Sequence, residues 1–145
     1  MPRILGVDYG ERRIGLAISD PTATIARPLP TLVRRRGKRP PVAKVTEIAR
    51  EHEAEEVVLG LPLTPEGEES DWTREVRAFG DALASRGGLV VHYLDERFTS
   101  SRAERAIRSL GLKKREREEK DRVDAAAAVL ILQAFLDSMR RGAQP

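Results

Sequence analysis

The chain has 145 residues and a mass of 16.2 kDa, enough for one core and too little for a second full-sized one, so residues 1–145 read as a single domain. Hydrophobic residues make up 40% and charged residues 34%, which excludes a disordered chain, and no apolar run approaches a membrane span. Zero cysteines, two histidines and a net charge of +3 exclude a disulfide scaffold and a thiolate metal site, leave little for an imidazole-rich zinc site, and suit a cytoplasmic protein with no membrane partner.

In chain order, Ile4 to Asp8 reads as a short buried strand and Arg13 to Ser19 as a second, joined through Tyr9-Gly10-Glu11-Arg12 as a hairpin. Asp8 comes too early for a signal peptide. A third strand falls within Ala26 to Val33, where Pro28 and Pro30 restrict it to an edge or an interruption. Pro41 suits a helix start, and Val42, Val45, Ile48 and Ala49 keep helical spacing to about His52. Val57-Val58-Leu59-Gly60 then has the pattern of a strand buried on both faces. After a loop from Thr64 to Ser70, Trp72, Val76, Phe79 and Leu83 share one helical face, and Gly87-Gly88 ends that helix. Leu89 to Leu94 is a further strand running into Asp95-Glu96-Arg97. Ser101 and Glu104 offer a capping box for a helix to Leu110. The charged run Lys113 to Lys120 suits a loop or a helical extension, and a last helix spans about Asp121 to Met139. An antiparallel start followed by strand–helix alternation implies an α/β fold with a mixed five-stranded sheet flanked by helices.

Charge is segregated along this order. Residues 27 to 41 carry six positive charges and no negative one, whereas residues 47 to 75 carry ten acids and two arginines. Arginine outnumbers lysine 21 to 5, and guanidinium can hold phosphate with paired hydrogen bonds, although a GC-rich genome would give the same bias. Arg34, Arg35, Arg36, Lys38 and Arg39 contain no interleaved aromatic residue. They therefore read as a phosphate-tracking element, or as a solvated loop, and not as a base-stacking platform.

Three separate elements supply carboxylates. Asp8 ends the first strand, Asp95 and Glu96 end another, and Asp121 and Asp124 lie three apart on the last helix. An acid ending an apolar strand costs desolvation energy unless it is exposed, paired or bound to metal. Hard carboxylate oxygens suit Mg2+ or Mn2+, and two such ions about 4 Å apart can hydrolyse a phosphodiester without a protein base. Alternation sends Asp95 and Glu96 to opposite faces unless the strand ends between them, so one of them is expected to be the direct ligand. Ala125 to Ala128 would let the last helix lie close to the sheet. His92 reads as a packing residue.

These residues resemble the YqgF/RuvX family of the RNase H-like superfamily over nearly the whole chain. The carriers are Asp8-Tyr9-Gly10 with Arg13 to Asp20, Gly60-Leu61-Pro62, Asp95 through Ser100, and Asp124 with the alanines after it. The resemblance implies an RNase H-like fold, divalent-metal-dependent endonuclease activity with a two-ion Mg2+ or Mn2+ site, and processing of the 5′ end of pre-16S rRNA, with contact to ribosomal particles. A Holliday junction resolvase role on four-way DNA junctions is the alternative. Asp8, Glu96 and Asp124 correspond to the family's catalytic metal ligands, with Asp121 an additional acid of the kind RuvC-type relatives carry. Arg13, Arg97, Thr99 and Ser100 could donate to phosphate, and Arg97 could instead pair with Asp95.

Two readings of other classes compete. A nucleotide-binding module would also open on an Asp-x-Gly hairpin, but the chain is too short for a two-domain ATP clamp and has no glycine–lysine phosphate loop. A non-catalytic RNA-binding ribosome-assembly factor would gain little from acids beside its phosphate site. Monomer and homodimer both stay open.

Overall fold

A computed structural model describes residues 3–35, 39–99 and 114–143, with the backbone alone described at 98, 114–124, 142 and 143. Five strands form one sheet: β1 (Arg3–Tyr9), β2 (Arg13–Ser19), β3 (Ala26–Val33), β4 (Ala54–Leu61) and β5 (Val90–Asp95), in the order β3-β2-β1-β4-β5. β1 pairs antiparallel with β2 and β2 with β3, whereas β1–β4 and β4–β5 are parallel. This is the mixed sheet expected from the sequence. β1 occupies its centre, which explains why a run as apolar as Ile4 to Val7 is covered on both faces.

Strand alternation divides the core into two layers. Leu5, Val7, Tyr9, Ile14, Leu16, Val57 and Leu59 pack beneath α1 (Val42–Glu51) and α2 (Asp71–Gly87), against Val45, Ala49, Val76, Phe79 and Leu83. Ile4, Ala17 and Val58 point the other way, against Ala128, Ile131, Leu132 and Leu136 of α3 (Lys114–Ala143). Each fully buried Leu or Ile of this kind stabilises the fold by roughly 1.5–3 kcal/mol. α3 lies close because the strand beneath it offers no side chain: a Cβ built on Gly6 would stand 2.7 Å from Leu132 Cβ and 3.1 Å from the Ala128 carbonyl oxygen.

The edges behave as their residues require. β3, carrying Pro28 and Pro30, is one edge strand, and its register with β2 shifts between Ile14 and Leu16 because a proline cannot complete a ladder. Gly88, at φ 68°, closes α2 as a left-handed C-cap. The N-terminus of α2 holds a capping box that the hydrophobic pattern alone did not disclose: Ser70 Oγ accepts from Thr73 N at 3.2 Å, and Thr73 Oγ1 accepts from Ser70 N at 3.0 Å. β4 runs longer than expected, beginning at Ala54 and so including Glu55 and Glu56, and of the two readings of the charged run the helical extension holds, α3 beginning at Lys114. The helix expected from Ser101 to Leu110 lies outside the described residues. Among the described residues, no helix is long and apolar enough to cross a membrane.

Candidate active site

Asp8 is the second-last residue of β1 and is 3% exposed. It follows Ile4 and Gly6 at the strand's period of two, so it belongs to the face covered by α3. The β1–β4 register pairs Val7 with Leu59 and brings the next residues, Asp8 and Gly60, to one level. Gly60 has no side chain there, and that space is filled by Glu96: a Cβ on Gly60 would stand 2.8 Å from Glu96 Oε1 and 2.6 Å from Ile131 Cδ1. Glu96, also 3% exposed, is the first residue of a short 3-10 turn, Glu96–Phe98, that follows β5. Two acids from different elements are thus buried on the same face, at the carboxyl end of the two central parallel strands.

The neighbouring acid is used differently. Asp95 caps the 3-10 turn by accepting from Arg97 N at 2.9 Å, and its two oxygens also accept from Arg97 Nε at 2.9 and 3.1 Å and from Nη2 at 2.7 Å. Hydrogen bonds from the Arg97 side chain hold the Asp95 carboxyl below its ordinary pKa, and the same bonds raise that of Arg97. Of the two sequence alternatives for this pair of acids, Glu96 stands with Asp8, and Asp95 with Arg97.

The third acid comes from α3. This helix passes from Gln133, whose Oε1 accepts from Ala26 N at 3.0 Å, to Ala128 over Gly6, and so runs towards the carboxyl end of β1. Traced in that direction, against the chain, the backbone of Asp124 lies one helical turn before Ala128 in sequence. The side chains of Asp121 and Asp124 lie outside the described ones. Among the described residues, no group of three or more His, Cys, Asp or Glu converges as a metal site.

Arg13 opens β2, two residues before Gly15, which pairs with Asp8, so Arg13 lies on the Asp8 face. Thr99 follows the 3-10 turn, with N and Oγ1 both donating to the Glu96 carbonyl at 3.1 Å. The basic stretch divides. Arg34 is folded onto the β1–β2 hairpin: its Nη1 donates to the Gly10 carbonyl at 2.9 Å, and its guanidinium lies 4.8 Å from the Tyr9 ring centroid. Tyr9 in turn stacks on Phe79 at 4.3 Å and Trp72 at 5.5 Å. Arg35 and Arg39 are exposed, and Arg36, Lys38 and Ser100 lie outside the described residues. His92 packs on Phe135 and meets Glu56 Oε1 through Nε2 at 2.8 Å, in keeping with a packing role.

The loop between β4 and α2, expected from Thr64 to Ser70, was given no role by the sequence. It turns tightly, with Gly67 at φ 84° and Gly67 N donating to the Thr64 carbonyl at 2.8 Å. Its Pro65 carbonyl accepts from Arg97 Nη1 at 3.2 Å.

Residues 2–138 match the family model RuvX, described as Holliday junction resolvase. A relative from Koribacter versatilis (strain Ellin345), named "Putative pre-16S rRNA nuclease", is 45% identical over 140 residues, covering 97% of this chain and 88% of that relative. One of the same name from Chloroflexus aggregans is 43% identical over 137 residues, covering 94% of each. Among solved structures, T. thermophilus RuvC in complex with a Holliday junction substrate superposes with a TM-score of 0.57 at 19% identity, over 99% of this chain and 98% of that one. The Fowlpox virus resolvase bound to Holliday junction DNA gives 0.53 at 11% identity, over 94% and 98%. These two likenesses establish an RNase H-like, RuvC-type fold. With a family match along nearly its full length and relatives this similar, the chain belongs to the RuvX family.

Proposed function

We propose that the protein is a divalent-metal-dependent endonuclease that cleaves phosphodiester bonds in structured nucleic acid, with the 5′ end of pre-16S rRNA as its substrate. The observation that carries this reading is the burial of Asp8 and Glu96 on one face, beside a glycine that leaves room for the second carboxylate. Two acids at 3% exposure bring carboxylate oxygens from two elements to the carboxyl end of the central parallel strands. Carboxylate oxygen is the donor that Mg2+ and Mn2+ prefer, so the residues present fit such ions. The names carried by relatives at 43–45% identity support the same substrate.

Asp8, Glu96 and Asp124 would hold the ions, with Asp121 as an additional acid at the same helix end. When bound, a metal pair supplies an activated water and stabilises the leaving oxygen. The chain's own contribution is positional. Gly60 and the 3-10 turn fix the Glu96 carboxylate, and the centre of the sheet fixes Asp8. Arg13, on the Asp8 face, would donate to phosphate near the carboxylates, while Arg35 and Arg39 would follow the backbone further out; the Thr99 N–H and hydroxyl already donate to the Glu96 carbonyl.

Cleavage of a pre-16S rRNA fragment and of a four-way DNA junction, measured side by side with Mn2+, tests both substrate class and site. Asp8→Asn and Glu96→Gln should each lower the rate at least about 100-fold while retaining the fold, since each removes a charged ligand. Wild-type rates in Asp8→Asn would overturn the assignment. Preference for the junction would assign the activity to branched DNA, the substrate named by the family description.

A further inference from the structure

The guanidinium of Arg97 is occupied on two sides. Nε and Nη2 fork onto both oxygens of Asp95, and Nη1 donates to the Pro65 carbonyl at 3.2 Å. Beneath it lies Gly67, whose hypothetical Cβ would stand 2.9 Å from Nη1 and 3.3 Å from Cζ and Nη2. The loop that receives it is itself well bonded. Thr64 N donates to the Glu68 carbonyl at 2.9 Å, Glu68 N donates to Thr64 Oγ1 at 3.0 Å, and Leu63 bridges Glu69. Thr73 Oγ1 of α2 donates to the Pro62 carbonyl, and Arg77 Nε to Glu69 Oε1 at 2.7 Å, which fastens the loop to α2. Arg97 therefore joins three pieces of chain: the end of β5, the β4–α2 loop and, through that loop, α2.

Glu96 lies between the two residues of this pair, and its backbone belongs to the turn that Asp95 caps. We propose that Arg97 is a positioning residue: by clamping Asp95 to the Pro65–Gly67 turn, it fixes the 3-10 turn and thereby the Glu96 carboxylate over Gly60, and it makes no contact with the phosphate of the substrate. The inference rests on the nuclease reading for its catalytic consequence, but the clamp itself is a property of the chain alone. Lysine cannot replace Arg97, because an ammonium is a point charge that cannot fork onto Asp95 and reach the Pro65 carbonyl in the same plane. Gly67 is required because a side chain there would occupy the place of the guanidinium, at a φ that other residues rarely adopt.

Three readouts on the full chain separate a clamp from a phosphate contact. Amide hydrogen exchange at Gly67 and Glu68, without metal or nucleic acid, should quicken at least about tenfold in both Arg97→Ala and Arg97→Lys, as expected when local opening becomes easier. With an RNA hairpin, kcat should fall at least about tenfold in both variants while KM stays unchanged, the pattern of a misplaced catalytic group. The salt slope of RNA binding in EDTA should stay at its wild-type value. A phosphate contact would behave otherwise: Lys would rescue, KM would rise, and the slope would fall by about one in Arg97→Ala. Unchanged exchange at Gly67 and Glu68 overturns the clamp whatever the activity does. Should the Arg97 variants fold poorly, Gly67→Ala keeps every atom of Arg97 and is expected to give the same loss of kcat; a wild-type kcat there overturns the proposal. A wild-type protein that cleaves no nucleic acid removes the nuclease reading, and the exchange measurement still decides the clamp.

Discussion

Asp8 lies near the end of one seven-residue apolar strand and Asp20 directly after another, yet their surroundings differ completely. Asp8 is buried beneath α3, whereas Asp20 folds into a turn in which Oδ1 accepts from Thr24 N and Ile25 N, each at 2.8 Å, and Oδ2 from the Thr22 hydroxyl. Those bonds, led by the one from Ile25, hold the Asp20 carboxyl well below the ordinary range. A depressed folded-state pKa means that its stabilisation is complete above the unfolded value of about 3.9 and disappears as pH falls through the folded one. Asp20→Asn should therefore lower Tm at neutral pH, and the gap to wild type should narrow below about pH 4. A constant gap in melting curves from pH 7 to 2 would show that the charge contributes nothing. The sequence singled out Asp8 and gave Asp20 no role, because the turn that engages Asp20 is built from residues after the strand.

At the scale of elements, the closeness of α3 to the sheet governs whether an acid on it can approach β1. The sequence disclosed half of this in Ala125 to Ala128, of which Ala127 and Ala128 are buried. The other half is Gly6, which in sequence reads as one more strand residue and in the fold is the floor on which Ala128 and Leu132 rest. Gly6→Ala is expected to destabilise the protein by about 1–3 kcal/mol through overpacking, because the nearest atoms belong to a helix backbone and a Cβ that cannot rotate away. Urea unfolding measures this, and a loss below about 0.5 kcal/mol would mean that α3 adjusts freely. The start of α3 was ambiguous for a physical reason: alternating Lys, Arg and Glu suit a solvated helix and a solvated loop equally well. Backbone hydrogen bonding, not composition, makes 114–120 helical.

At the scale of the whole molecule, the described residues of the basic stretch divide between two environments. Arg34 belongs to the packing, bound to Gly10 and laid on the Tyr9–Phe79–Trp72 stack, while Arg35 and Arg39 face solvent. Arg34→Ala should cost about 1–2 kcal/mol from a lost hydrogen bond and cation–π contact. Arg35→Ala and Arg39→Ala should leave stability unchanged and lower the salt slope of RNA binding by about one each. Thermal melts and salt titrations on the three variants check the division; the reverse pattern would return Arg34 to the binding surface.

The sequence by itself determined the succession of the strands and the helices between them along the chain, the restriction of the proline-bearing strand to an edge or an interruption, and the acids at the strand ends, because periodicity and backbone chemistry are local. The tertiary structure alone decided that Asp95 is held by Arg97 while Glu96 fills the space over Gly60, that Arg34 folds back onto the β1–β2 hairpin, and that Arg97 reaches back to Pro65. Each of these depends on residues far apart in the chain meeting at one place, and a charged side chain takes whichever partner the packed sheet and helices bring within hydrogen-bond distance.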